Sequence, residues 1–411
     1  MKKHFMFKNL LLGIIAVSFF FTSCKKEEEK DLTLSELMAG DIDLNGATAP
    51  TNVPVDPVIT ATFSTDVDPT TVTASNITLT QDYDDSSIPL TVSASGNTVT
   101  IDPQEALGSG TLYLLNLGSG LLSTDGKPLE ALERSFTTEG TFAPSGVIAY
   151  WNFEDDADDQ TGTFMPSDVI DIDYEASRNS AAGMAATFNG STSLIRIPNG
   201  DNLSNTDDFA LSFWVNADST KHGQFVMGLS AWFGFQFEIA GDYSACKLAA
   251  QYDFGDGSSN SDDLWFPGNG ETKDNGGWQG WTFCADLRDE GGVKALLADK
   301  WAHIVCMYNS STKVGSMYIN GELMKAQDFN LWPDDDPKQG IVGLKFAGNE
   351  GNNTFVFGFI QDYNDPTLSD DWANYSNPAN NHFKGQLDDV RFFHKVLTET
   401  EIGLMYNSEN Q

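Results

Sequence analysis

Cysteine, histidine and basic side chains are all scarce in this chain. Its 411 residues hold four cysteines and five histidines, and 23 Lys and Arg stand against 59 Asp and Glu, for a formal net charge of −36. So negative a surface repels nucleic acid and anionic membranes, and suits neutral glycans or divalent cations. A run of acids on loops also simply keeps an exported protein soluble. Catalytic motifs are lacking too. No Gly-x-Ser-x-Gly elbow, His-Glu-x-x-His or Cys–His setting occurs, which removes the chemistries those motifs carry. The apolar run from Leu10 to Phe21 is too short for a comfortable transmembrane helix. Strong helical periodicity is nearly absent, whereas glycine and aromatics are plentiful, so the composition favours an all-β chain of about two to three domains.

Lys2 and Lys3 precede that apolar run, which ends in Phe21-Thr22-Ser23-Cys24. The pattern resembles a bacterial lipoprotein signal with its lipobox. The resemblance implies that residues 1–23 are removed and that Cys24 becomes the acylated first residue; the alternative is an ordinary signal peptide with an incidental cysteine. Lys25 to Asp31 is too charged to pack, so residues 24–47 read as a flexible tether. A Lys followed by acids directly after the lipidated Cys is similar to the surface-export signal of Bacteroidetes lipoproteins. It implies a protein of the outer membrane, lipid-anchored and exposed on the cell surface.

Between residues 48 and 140, short strand-like runs recur about every ten residues, the spacing of a β-sandwich. The runs are Val58–Phe63, Ile77–Gln81, Pro89–Ala94, Thr98–Ile101, Thr111–Leu117 and Arg134–Thr137, separated by turn chemistry such as Asp68-Pro69, Ser95-Gly96-Asn97 and Asp125-Gly126. Ile59 to Ser64, Gly110 to Tyr113, Asp125 to Leu129 and Phe136 to Thr138 together resemble the bacterial Ig-like domains of surface-layer and other extracellular proteins. No cysteine lies here, so the disulfide of antibody domains is absent. Such modules are usually spacers.

The stretch Trp301 to Lys325 organises the remainder. Trp301 to Tyr308 is apolar on both faces, as in a strand buried mid-sandwich. Asn309 to Thr312 is a polar break, Val314 to Ile319 a second strand, and Asn320-Gly321 suits a type I′ turn into a third. This meander resembles the central hairpins of laminin-G-like, concanavalin A-like jelly rolls. Further pieces fall in the same order: Ala149 to Glu154, Thr187 to Ser191 with Leu194 to Pro198, Phe209 to Val215, and Phe383 to Phe392. They assign residues 145–411 to such a jelly roll. The expected fold class is therefore all-β, an Ig-like β-sandwich followed by a concanavalin A-like (laminin-G-like) jelly-roll sandwich. At the end, Thr398-Glu399-Thr400-Glu401 is a capping box, which predicts a short helix over 399–406.

Glu154, Asp155, Asp156, Asp158 and Asp159 place five carboxylates in six positions, and calcium takes six to eight oxygens. The jelly-roll resemblance implies that such an acidic turn and the Asp of the closing strand, Asp388, meet at a structural Ca2+ ion. The expected metal ligands are thus Glu154, Asp155, Asp158, Asp159 and Asp388; the alternative is a solvated turn with no ion. Of the three remaining cysteines, Cys306 lies in the central strand as a small core hydrophobe, while Cys246 and Cys284 flank a long insertion and either pair or stay reduced.

Six tryptophans fall outside the family pattern: Trp232, Trp265, Trp278, Trp281, Trp332 and Trp372. Aromatic rings stack on the apolar faces of sugars, and neighbouring Asn, Asp and Gln bind hydroxyls. Trp265, Trp278 and Trp281 stand among glycine and polar residues in the insertion Trp232 to Asp299, and they are the predicted carbohydrate-binding residues. No strand carries the Glu-x-Asp-x-x-Glu pattern of the glucanases that share this fold, so no catalytic residue is assigned and an enzyme is not expected. The expectation is a surface lipoprotein whose jelly roll binds a polysaccharide or glycan. Its membrane contact is through the lipid anchor only, and it has no nucleic-acid partner. The alternative is a non-catalytic adhesion or structural module with a protein partner; a glycoside hydrolase ranks below both. If Cys24 carries the lipid, Cys24→Ala releases the protein from the membrane fraction and abolishes radiolabelled palmitate incorporation; label retained in the variant contradicts the assignment.

Overall fold

The computed structural model describes residues 31–273 and 280–410. The first sandwich packs a five-stranded sheet, in the order Ile42–Asp43, Leu34–Ala39, Ile59–Phe63, Thr98–Pro103, Leu90–Ser95, against a four-stranded sheet ordered Ser87–Ile88, Ile77–Gln81, Leu112–Leu117, Leu132–Thr137. Its strands read as the pleat demands: Ile59, Ala61 and Phe63 are buried while Thr60 and Thr62 are half-exposed. All six expected strands are present.

The tether is shorter than the expected 24–47. Leu34–Ala39 pairs with Ile59–Phe63, and Leu32, Leu37, Ala39 and Leu44 join the core of this sandwich. A register shift between Leu34 and Glu36 breaks the two-residue period, which is why the apolar pattern did not read as a strand.

The second sandwich is larger. One sheet runs Ile172–Ala176, Met184–Asn189, Lys384–Phe393, Phe209–Ala217, Trp301–Asn309, Val314–Ile319, Glu322–Asp328, Trp281–Cys284, with Val147–Trp151 also on Lys384–Phe393. The facing sheet runs Asp168–Ile170, Leu194–Ile197, Phe355–Phe357, Gln224–Leu229, Phe235–Ile239, Cys246–Asp253, Ser259–Phe266. Trp301–Asn309 is buried over its seven inner residues, and it leads through Val314–Ile319 to Glu322–Asp328 as the expected meander. Asn320 and Gly321 both have positive φ, 55° and 82°, as a type I′ turn requires.

The capping box forms as read. Thr398 accepts from the Glu401 amide, Glu401 accepts from the Thr398 amide, and the helix runs Glu399–Glu409. Its Ile402 and Met405 pack with Val305, Met307, Phe393 and the linker residue Phe142. Phe142 in turn meets Tyr83 of the first sandwich edge-on, with ring centroids 5.2 Å apart.

Two histidines are buried in the jelly roll. His303 Nε2 lies 2.8 Å from Ser212 Oγ, and its Nδ1 has no hydrogen-bond partner among the described residues. Burial, with Arg391 and Arg178 nearby, lowers its pKa from 6.5 to about 3; burial lowers that of His382 to about 4. Both rings are therefore neutral in the fold at pH 6, and the unfolded chain takes up protons first. Their contribution is fully present above about pH 6.5 and is lost as pH falls toward 4 and then 3, by about 1.4 kcal/mol per pH unit for each proton. Scanning calorimetry between pH 7 and pH 4 should give a falling jelly-roll midpoint, with a shallower fall in His303→Phe. Equal slopes in the two proteins would show that His303 is not the linked group.

Candidate functional site

Three aromatic side chains converge where the edges of the two jelly-roll sheets meet. The hairpin of Cys246–Asp253 with Ser259–Phe266 sets the first wall. Register pairs Lys247 with Trp265, Leu248 with Leu264 and Ala249 with Asp263. Cys246, Leu248, Leu264 and Phe266 belong to the core, so alternation sends Lys247, Ala249, Ser261, Asp263 and Trp265 to the outer face. The facing edge strand, Trp281–Cys284, pairs with Glu322–Asp328 and supplies Trp281. Trp232 comes from the turn between Gln224–Leu229 and Phe235–Ile239.

Between them lies a cavity of about 690 Å³ lined by Trp232, Ser261, Asp262, Asp263, Trp265, Lys273 and Trp281. Each lysine around it in front of Trp281 is held by at least one carboxylate. Lys247 Nζ lies 2.7 Å from Glu238 and 2.8 Å from Asp263, and 5.8 Å from the Trp265 ring. Lys338 holds Asp262 at 2.5 Å, and Lys273 lies 3.2 Å from Glu271. The three rings differ in what they offer. Trp232 is 38 % exposed and Trp265 half-buried, whereas Trp281 is only 8 % exposed and has Lys325 and Lys273 over its ring at 3.4 and 4.6 Å. Trp281 is thus a wall of the cavity, and Trp232 and Trp265 are its open platforms.

The expected sugar-binding residues divide accordingly. Trp265 and Trp281 line this cavity; Trp278 lies outside the described residues, as does the expected lipid site, Cys24. The sequence reading did not single out Trp232, Ser261, Asp262, Asp263 and Lys273 as a group. For the residues on Ser259–Phe266, the two-residue period on an edge strand was the available signal.

The expected calcium ligands are not assembled. Asp159 is buried and its two oxygens accept from the Tyr150, Thr161, Thr163 and Phe164 amides and the Thr161 hydroxyl, which lowers its pKa despite burial. It is an acid that ties a turn together. Glu154, Asp155 and Asp158 are exposed, and Glu154 accepts from the Met184 amide. Asp388 is turned to Arg178 at 2.6 Å and to the Ser177 hydroxyl. Among the described residues, no group of three or more His, Cys, Asp or Glu stands close enough to hold a metal ion. The donors present do not fit Ca2+. Cys246, Cys284 and Cys306 are all free and buried, and Cys246 Sγ sits 3.6 Å from Met317 Sδ, so the two flanking cysteines do not pair.

Behind Trp281, Lys325 is fully buried and its Nζ finds no hydrogen-bond partner among the described residues. Burial lowers its pKa to about 8, so it is still charged at pH 7. A ring contact is worth up to about 2 kcal/mol to a desolvated cation, less than burying an unpaired ammonium takes away. Lys325→Met should therefore raise the thermal midpoint at pH 7; a lower midpoint would mean that the ammonium has found an acceptor.

Residues 43–138 match the family model of the bacterial Ig-like domain, and residues 189–364 match that of the concanavalin A-like lectin/glucanases superfamily. No curated protein matches the chain. Among solved structures, domain 4 of a GH43 extracellular arabinanase from Geobacillus stearothermophilus, in complex with arabinotriose, is 20 % identical with a TM-score of 0.37, covering 63 % of this chain and 97 % of that one. The binding domain of Paraclostridial Mosquitocidal Protein 1 is 13 % identical with a TM-score of 0.42, covering 64 % of this chain and 52 % of that one. The receptor binding domain of botulinum neurotoxin D is 17 % identical with a TM-score of 0.38, at 64 % and 52 %. The chain spans about half the length of those two toxin domains. From its amino-terminal to its carboxy-terminal half, this chain carries a bacterial Ig-like domain and then an all-β domain of the concanavalin A-like lectin/glucanase superfamily.

Proposed function

We propose that this chain is a lipid-anchored cell-surface protein of the outer membrane whose concanavalin A-like domain binds a neutral glycan without cleaving it. The Ig-like domain holds that head away from the anchor. One observation carries the reading: a 690 Å³ cavity with the open rings of Trp232 and Trp265 beside Ser261 and Asp263. Rings of this kind stack on the apolar face of a pyranose, while hydroxyl and carboxylate oxygens take its hydroxyl hydrogens. The cavity's charges favour a neutral ligand, since Lys247, Lys273 and Lys338, the lysines that reach it in front of Trp281, are each already held by a carboxylate.

Binding without hydrolysis has its own support. Glycoside cleavage needs two carboxyl groups across one bond, one protonated and one free to attack or to activate water. Asp262 and Asp263 both line the cavity, but each is tied to a lysine. The test is affinity gel electrophoresis against β-glucan, xylan, arabinan, galactomannan and pectin, followed by titration calorimetry. At least one neutral polymer should retard the wild type, and Trp265→Ala should weaken that binding about tenfold, as loss of one stacked ring implies. Reducing ends should not accumulate. Retardation by none of them would turn the exposed rings into evidence for a protein partner, and release of reducing sugar would make the domain an enzyme.

A further inference from the structure

We infer that the binding surface does not stop at the cavity but continues past Trp232 to Trp372, so that the domain grips an internal segment of a long polysaccharide rather than a chain end. The inference rests on the glycan reading of the cavity. Trp232 is the hinge of the argument, because it lines the cavity and also stands against Trp372, with centroids 5.5 Å apart and the ring planes 45° to each other. That separation is close to the repeat of one pyranose residue. The two rings are 38 % and 40 % exposed, among the most exposed large apolar side chains among the described residues. Core packing does not account for them.

The sheet face between the cavity and this pair is closed. Cross-strand pairing makes one row of Gly228, Gln236, Ala249 and Asp263. Phe235 and Phe237 point into the core, so Gln236 faces outward, one residue in from the turn that carries Trp232. It is 1 % exposed, and neither its amide oxygen nor its amide nitrogen has a hydrogen-bond partner among the described residues. An amide so enclosed does not reach a ligand, so the surface past the cavity is the two rings alone. Trp372 is held at the far end by its neighbours: Ala373 is buried, and Trp372 meets Phe225 edge-on at 6.1 Å.

The experiment is calorimetric titration with cello-, xylo-, arabino- and mannooligosaccharides of two, four and six units. In the wild type, affinity for the series that binds should rise with each step in length. Trp372→Ala should leave the disaccharide unchanged and weaken the hexasaccharide three- to tenfold. Trp265→Ala should weaken every length. Loss in Trp265→Ala with no change at any length in Trp372→Ala overturns the extended groove and leaves the cavity reading standing. If Trp265→Ala changes nothing, or no series binds the wild type, both fall together. Circular dichroism of each variant separates lost contact from lost fold.

Discussion

The jelly roll depends on one strand, Lys384–Phe393, that arrives almost last in the chain and lies inside a nine-stranded sheet. On one side it pairs with Phe209–Ala217, and on the other with Met184–Asn189 and Val147–Trp151 placed end to end. Where it passes Phe213, two of its residues stand against one, a bulge at which Asp389 takes φ 47°. A non-glycine residue there is disfavoured by about 1–2 kcal/mol and persists only where its surroundings hold it. They do so through charge. Asp389 accepts from Tyr150 at 2.5 Å and lies 2.9 Å from Arg391, Asp388 is bound by Arg178, and Arg391 reaches Glu409 at 2.6 Å. Glu409 also accepts from Trp214 Nε1 at 2.6 Å, which ties the carboxy-terminal helix to the strand it covers. Removing one member leaves an uncompensated buried charge, so the network acts as a unit even where its net contribution is small.

That network is where the carboxylates of the closing strand find their partners. In a chain with so few cations, Arg178 and Arg391 both stand here, against two adjacent aspartates and a buried glutamate. Arg178 stands 210 residues before Asp388. Nothing in local spacing connects them, and the family resemblance from which Asp388 was expected to ligate an ion carries no sign of this guanidinium.

Features generated by neighbours in the chain were legible. The meander around Asn320-Gly321, the capping box at Thr398 and the alternation of Ile59 to Phe63 all follow from periods of two or from fixed offsets, and each is present as read. Where a bulge breaks the period, at Leu34 to Glu36, the apolar pattern does not show the strand, and the expected tether includes it. The cavity was half legible: Trp265 and Trp281 stood out because no family strand accounted for them, while Trp232 joins them only once Ser259–Phe266 and Trp281–Cys284 are placed as the edges of facing sheets.

Placement at those edges also sets the electrostatics of the site. Over the whole chain acids exceed bases by 36, so an average patch of surface repels anions and attracts cations. Around the cavity the balance is local and different: Lys247, Lys273 and Lys338 face Glu238, Asp263, Glu271 and Asp262 within contact distance. Pairs so close cancel beyond a few ångströms, and salt screens what remains. An anionic polymer would still meet the field of the rest of the chain as it approached, and a polycation would be drawn to the acidic loops instead of the cleft. A neutral chain is indifferent to that field, and for it the cleft would offer exposed ring faces and hydrogen-bonding groups. On the proposed glycan reading, the acidity of the protein and the ion pairing around this aromatic cavity act in the same direction, as a filter on charge.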